Sequence, residues 1–137
     1  MTRKLFSRIS FFSYLILTLT GFGLGIYLFL KGMLTPAEGW EGLGNAIAII
    51  LGIFCLIYAV VTLIPTILKG LDLRLEKNIL TIFTMVFDVL LIGGHAFLVT
   101  QVLSDNYELF AVIVVIVMAL LSVVSLISNI LCLTAKY

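Results

Sequence analysis

Four long apolar runs, at residues 11–30, 43–68, 79–103 and 109–133, are divided by short stretches that carry nearly every charge in the chain. A helix needs about 20 apolar residues to cross a hydrocarbon core about 30 Å thick, and each run reaches that length. The pattern predicts an all-α integral membrane protein: a four-helix transmembrane bundle with short loops, one domain over residues 1–137. Hydrophobic residues make up 63% of the chain and charged residues 11%. A water-soluble domain carries about 25% charged residues, so a soluble fold is excluded. The four runs leave no length for a separate soluble domain.

The bases set the expected orientation. Arg3, Lys4 and Arg8 precede the first run, and Lys31 follows it; Lys69, Arg74 and Lys77 lie between the second and third, and Lys136 follows the fourth. The stretch between the third and fourth runs holds Asp105 and Glu108 and no base. With the first residues in the cytoplasm, only Lys31 of the eight bases falls outside, so the positive-inside bias puts both termini inside. The first run exceeds the apolar stretch of about 7–15 residues in a signal peptide. Thr35-Pro36-Ala37 is also a poor cleavage site, and a retained helix is expected. The compact size and short loops suit a bacterial cytoplasmic membrane.

Small residues mark the expected helix contacts. Gly21 and Gly25 form a GxxxG in the first run, with Thr18 near the same face; Gly44, Ala48 and Gly52 form a row in the second, with Ala59 beyond. Small residues four apart leave a groove that lets another helix approach closely, and these rows are expected to bring the first two spans together. A second copy or a partner protein could fill the same groove. Trp40, in the outer loop 31–42, suits the membrane interface, where an amphipathic ring is favoured. The segment 3–12 reads as an interfacial lead-in helix, with Leu5, Ile9 and Phe12 along one side and its bases toward the anionic leaflet.

Pro65 lacks a backbone donor and predicts a kink near the end of the second span, where Thr62 and Thr66 could serve the freed carbonyls. After it, Leu71, Leu73 and Leu75 alternate with Asp72, Arg74 and Glu76, a strand-like period of two. No second strand is present to pair with, so helix extension from either side could break the pattern; residues 69–78 are expected to form a solvated connector, or else to dock a partner or lie on the membrane.

Asp88 and His95 are the two residues foreign to lipid. Asp88 lies about ten residues, or about 15 Å, into the third span, near the midplane. His95 follows two helical turns later on the same face, with Thr81 and Thr84 close to that face and Gln101 further out. A charged Asp at mid-membrane costs about 2.5–3.5 kcal/mol on insertion scales, so it should face protein or water. Three roles are open: a proton or cation relay with His95 as second station, a hydrogen bond to another helix, or pairing with a base on another subunit. In the fourth span Ser122, Ser125, Asn129 and Cys132 recur at three and four residues as one polar stripe. Such groups act as interhelical glue worth about 0.6 kcal/mol each, or line a narrow wet path. Gly93 and Gly94 could let another helix crowd against the third span.

Nothing in the pattern points to an enzyme. There is no H-E-x-x-H, no Cys/His cluster, no phosphate-binding glycine loop and no nucleophile beside a base. One histidine cannot ligate haem from both sides, Cys55 and Cys132 both fall within spans, and no cofactor, metal or nucleic acid is expected. The four-span topology is shared by small multidrug transporters and claudin-like proteins. The first run here holds no acid, however, and the outer loop has Trp40 without cysteines. The expected function is protein–protein interaction, as an accessory, assembly, regulatory or immunity-type subunit of a membrane complex. A membrane-protein partner or a homo-oligomer within the lipid bilayer would then be its counterpart. The alternative is a small oligomeric proton- or cation-coupled transporter or channel using Asp88 and His95.

Overall fold

The computed structural model describes residues 2–35, 39–104 and 109–135. Over these the chain forms four helices: α1 (Thr2–Leu34), α2 (Trp40–Leu75), α3 (Asn78–Ser104) and α4 (Leu109–Thr134). Each is long and apolar enough to cross a membrane, which marks the chain as an integral membrane protein. At 1.5 Å per residue α1 and α2 reach about 50 Å and α3 and α4 about 40 Å. Every helix packs on its two neighbours, α1 on α2 and α4, α3 on α2 and α4, and the diagonal backbones do not meet. We call the end that holds residues 3, 72, 78 and 132 the termini end, and the other the loop end.

The helices are amphipathic in the reverse of the soluble sense. Buried positions on α1 include Arg3, Ser7, Ser10, Tyr14, Leu17, Gly21 and Gly25, a three-four alternation that keeps one stripe inward. The buried stripe of α3 is Thr81, Thr84, Asp88, Leu91 and His95, and that of α4 is Ser122, Ser125, Ser128, Asn129 and Cys132. On α2 it runs Ala59, Thr62, Thr66, Lys69 and Asp72. Large apolar side chains such as Leu19, Phe54, Val89 and Phe110 are exposed on the outside, where lipid tails are the fitting solvent.

The structure corrects the reading of residues 69–78. α2 runs helically through Leu75, so the Leu71–Leu73–Leu75 alternation is not a strand, and the connection to α3 shrinks to Glu76 and Lys77. Glu76 ends the helix in the left-handed region (φ 54°), its N–H donating to the Asp72 carbonyl at 2.7 Å. Far from being solvated, Lys69 and Asp72 are buried, because they continue the stripe of Thr62 and Thr66 toward the interior. α2 also stays helical through Pro65. Proline leaves the Val61 carbonyl without its helical donor. The Thr62 and Thr66 hydroxyls instead bond the Ala59 and Thr62 carbonyls, at 3.0 and 2.8 Å.

Glycines set the α1–α2 seam toward the loop end. A methyl group built on Gly52 would lie 2.7 Å from the Phe29 nitrogen and 2.9 Å from the Gly25 carbonyl oxygen. On Gly21 it would meet Tyr58 and Ala59 within 3.0 Å, and on Gly32 the Asn45 carbonyl at 2.6 Å. Gly21, Gly25 and Gly52 thus face the neighbouring helix, as their spacing indicates. Gly44 has open space around it and Ala48 is half-buried, while Gly32 joins the seam unannounced by any row. The Trp40 side chain lies outside the described ones.

Candidate functional site

The interior polar side chains fall into three groups along the bundle. The middle one centres on Asp88, which is 0% exposed. Tyr14 of α1 reaches across the diagonal and donates to Asp88 Oδ1, also lying 3.1 Å from the Thr84 carbonyl. From α4, Ser125 donates to Oδ1 at 2.9 Å and Asn129 Nδ2 to Oδ2 at 2.6 Å, and Nδ2 also lies 3.0 Å from the Tyr14 oxygen. Ser10 meets Ser125 at 3.1 Å. Three donors from two other helices converge on one carboxyl group, and no Lys or Arg bonds it among the described residues. Asn129 Oδ1 is buried and has no donor among these residues.

His95 anchors a second group one to two turns toward the loop end. Its Nδ1 lies 3.1 Å from Ser122 Oγ and its Nε2 2.8 Å from the Tyr58 hydroxyl. Ser122 donates its single hydroxyl hydrogen to the Ala119 carbonyl at 2.7 Å. Nδ1 must then carry the ring hydrogen and donate it to Ser122, leaving Nε2 to accept from Tyr58. Outside Tyr58 and His95, a lateral groove of about 330 Å³ opens between α2 and α3, walled by Val61, Phe87, Leu90 and Leu98.

At the termini end lies a third group that reading the sequence missed. Asp72 accepts from Arg3 at 3.2 Å and from Lys69 at 2.9 Å, and from Ser7 and Thr81 at 3.1 and 2.8 Å. Lys69 further donates to Thr81 at 3.1 Å and lies 3.8 Å from the Cys132 sulfur. Arg3 also bonds the Asn78 side chain and the Cys132 carbonyl, one of the last carbonyls of α4, which have no partner within their own helix. The available signal was the three-four recurrence of Thr62, Thr66, Lys69 and Asp72, hidden by ending the span at residue 68.

Of the residues singled out from sequence, Asp88, Ser125 and Asn129 come together. His95 and Ser122 pair with each other and make no hydrogen bond to Asp88. Thr81 belongs to the termini-end group, Thr84 bridges toward Asp88 through its carbonyl, and Gln101 is exposed. Tyr14, Tyr58, Ser10, Arg3, Lys69 and Asp72 are the additions. Among the described residues, no group of three or more His, Cys, Asp or Glu is placed to hold a metal ion.

Comparison with protein-family models, with curated proteins and with solved structures finds no match to this chain.

Proposed function

We propose that this chain handles a small cation within the membrane, as a proton- or cation-coupled transporter or channel in which Asp88 carries the ion and His95 is a second station. The observation that supports it is the fully buried Asp88, to which no Lys or Arg is hydrogen-bonded among the described residues, on a lane of polar side chains running from Lys69 and Thr81 to Ser122 and His95. An ionisable group held at that depth is costly and is a functional site by default. Both termini face the cytoplasm in this reading, since Arg3, Lys4, Arg8, Lys69, Arg74 and Lys77 gather at one end, and a bacterial cytoplasmic membrane suits it.

The test uses purified protein in liposomes with an inside-negative potential, reading uptake of protons with an enclosed pH dye and of labelled Na⁺ in parallel. Wild type is expected to take up one of these ions above protein-free vesicles. Asp88→Asn, which keeps the shape, is expected to lose at least about tenfold in rate while eluting at the same size in detergent, a difference of about 1.4 kcal/mol in barrier. Equal rates for the two proteins, or none for wild type, would sink the reading.

A second reading, the accessory or regulatory subunit acting by protein–protein contact, draws on Gly93 and Gly94. Both are exposed on α3 beside the lateral groove, with open space where a side chain would stand. A partner helix or a second copy could approach closely there. Gentle extraction from the native membrane with native sizing and mass spectrometry tests it: a stoichiometric companion lost in Gly94→Leu supports it, and a lone monomer removes it.

A further inference from the structure

We propose that the ion carried by Asp88 is the proton, taken on its Oδ1 oxygen, with the Tyr14 hydroxyl reversing to accept the new hydrogen bond. This rests on the reading of Asp88 as the ion-carrying group and names the ion. A hard metal ion gathers about six or more oxygens around one centre. Among the described residues, the Asp88 oxygens are instead joined to their neighbours directly. Ser125 bonds Oδ1 at 2.9 Å, Asn129 bonds Oδ2 at 2.6 Å and Tyr14 bonds Oδ1, while the groove between α2 and α3 takes in none of these atoms. A proton needs only one lone pair and an acceptor beyond it.

The chemistry of the neighbours decides which carboxyl group receives it. Hydroxyls both donate and accept, whereas ammonium, guanidinium and amide N–H groups only donate. Each Asp72 oxygen faces a cation, Arg3 at 3.2 Å and Lys69 at 2.9 Å, so a hydrogen placed there would meet a donor that cannot turn round. On Asp88, Oδ2 faces an Asn129 N–H and is closed in the same way, but Oδ1 faces two hydroxyls. Tyr14 has a second acceptor in reach, the Thr84 carbonyl at 3.1 Å. With Asp88 ionised, Tyr14 and Ser125 both donate to Oδ1. When a hydronium delivers its proton, an Oδ1–H bond forms on the lone pair that faced Tyr14, and water is left behind. Oδ1–H then donates to the Tyr14 oxygen, and Tyr14 turns its own hydrogen to the Thr84 carbonyl. Ser125 and Asn129 keep their bonds. No heavy atom moves and no donor in this exchange is orphaned, so the change of charge avoids the cost of an unsatisfied buried group. Among the described residues, the other titratable groups around Asp88 are engaged elsewhere. On α3, His95 bonds Tyr58 and Ser122; from α2, Lys69, whose field reaches Asp88, is paired with Asp72, which also holds Arg3 of α1; and α4 brings Cys132, beside Lys69.

Infrared difference spectra of the purified full chain in liposomes, recorded as pH is stepped, test this. Wild type is expected to gain the C=O stretch of a protonated carboxyl group as pH falls, displaced by carbon-13 aspartate and lost in Asp88→Asn. The same step should carry a paired change in the tyrosine C–OH bands, lost in Tyr14→Phe. Since Oδ2 remains the carbonyl oxygen and Asn129 bonds it, Asn129→Leu is expected to move the stretch to higher wavenumber. Exchange of choline chloride for NaCl at constant ionic strength should leave the titration in place. No Asp88-dependent change while the chain stays folded overturns the proposal, as does a band that weakens with Na⁺. A stretch indifferent to Asn129→Leu puts the hydrogen on the wrong oxygen, and a silent tyrosine removes the reversal. Protonation is read without flux, so the two readings fail separately. Asp88-dependent Na⁺ uptake with no titrating band removes the proton alone, and a titrating band with no ion uptake removes the transport reading alone.

Discussion

At the termini end the four helices are joined by charge: Arg3, Lys69 and Asp72, with Ser7, Asn78 and Thr81 around them, tie α1, α2, the start of α3 and the end of α4. At the loop end α1 and α2 are joined by glycines, and α3 and α4 bury no side chain beyond His95 and Ser122. The contrast teaches what holds helices together where tails are as apolar as leucine. Burial of apolar area then drives little association, and only polar bonds or close backbone approach remain. Each end relies chiefly on one of the two. The middle, with Asp88, has polar bonds and, among the described residues, no ion pair.

The comparison breaks most sharply at Asp72. Asp72→Ala leaves Arg3 and Lys69 facing each other in the interior without their shared carboxylate. Loss of one partner of a buried ion pair costs about 3–5 kcal/mol, so this variant should show the largest fall in thermal midpoint in detergent. Next is the glycine seam: Gly52→Ala forces a methyl group against the α1 backbone and should cost about 1–3 kcal/mol by the same measurement. Gly44→Ala, which meets open space, should leave the midpoint unchanged; equal effects at the two positions would remove the seam as the loop-end joint. The smallest effect is expected at Thr62→Val. It removes the Thr18–Thr62 hydrogen bond at 3.0 Å and the Thr62 bond to the Ala59 carbonyl, while Thr18 keeps Thr66 at 3.2 Å, a loss of about 0.6 kcal/mol for the interhelical bond.

How much of this was legible depended on what each residue stood among. The four helices follow from apolar run length alone. Asp88 stood out because it interrupts such a run, and the Ser122–Ser125–Asn129 stripe because small polar residues recur at helical spacing in an otherwise apolar span. Lys69 and Asp72 were concealed by the opposite circumstance. Charges at the edge of a run look like solvated connector, and only their phase with Thr62 and Thr66 places them inward. Tyr14 was hidden by chemistry: an aromatic ring within an apolar run reads as lipid-facing, and its hydroxyl gains meaning only once α3 stands on the diagonal. Gly44 shows the converse limit, since a small residue at the right interval belongs to a seam only if another helix arrives there.

The Arg3 contacts also bear on biogenesis. Its partners lie at positions 72, 78 and 132, so its side chain leaves the ribosome 129 residues ahead of the carbonyl it caps on α4. The first turn of α1 is thus among the last parts to complete its native surroundings. Before α4 has entered the bilayer, Asp72 and Asn78 already stand ready for the guanidinium, and water and headgroups can take the place of the Cys132 carbonyl, which a position near a helix end permits. Insertion of α4 then supplies the last of these partners and seals the bundle around the Arg3 side chain.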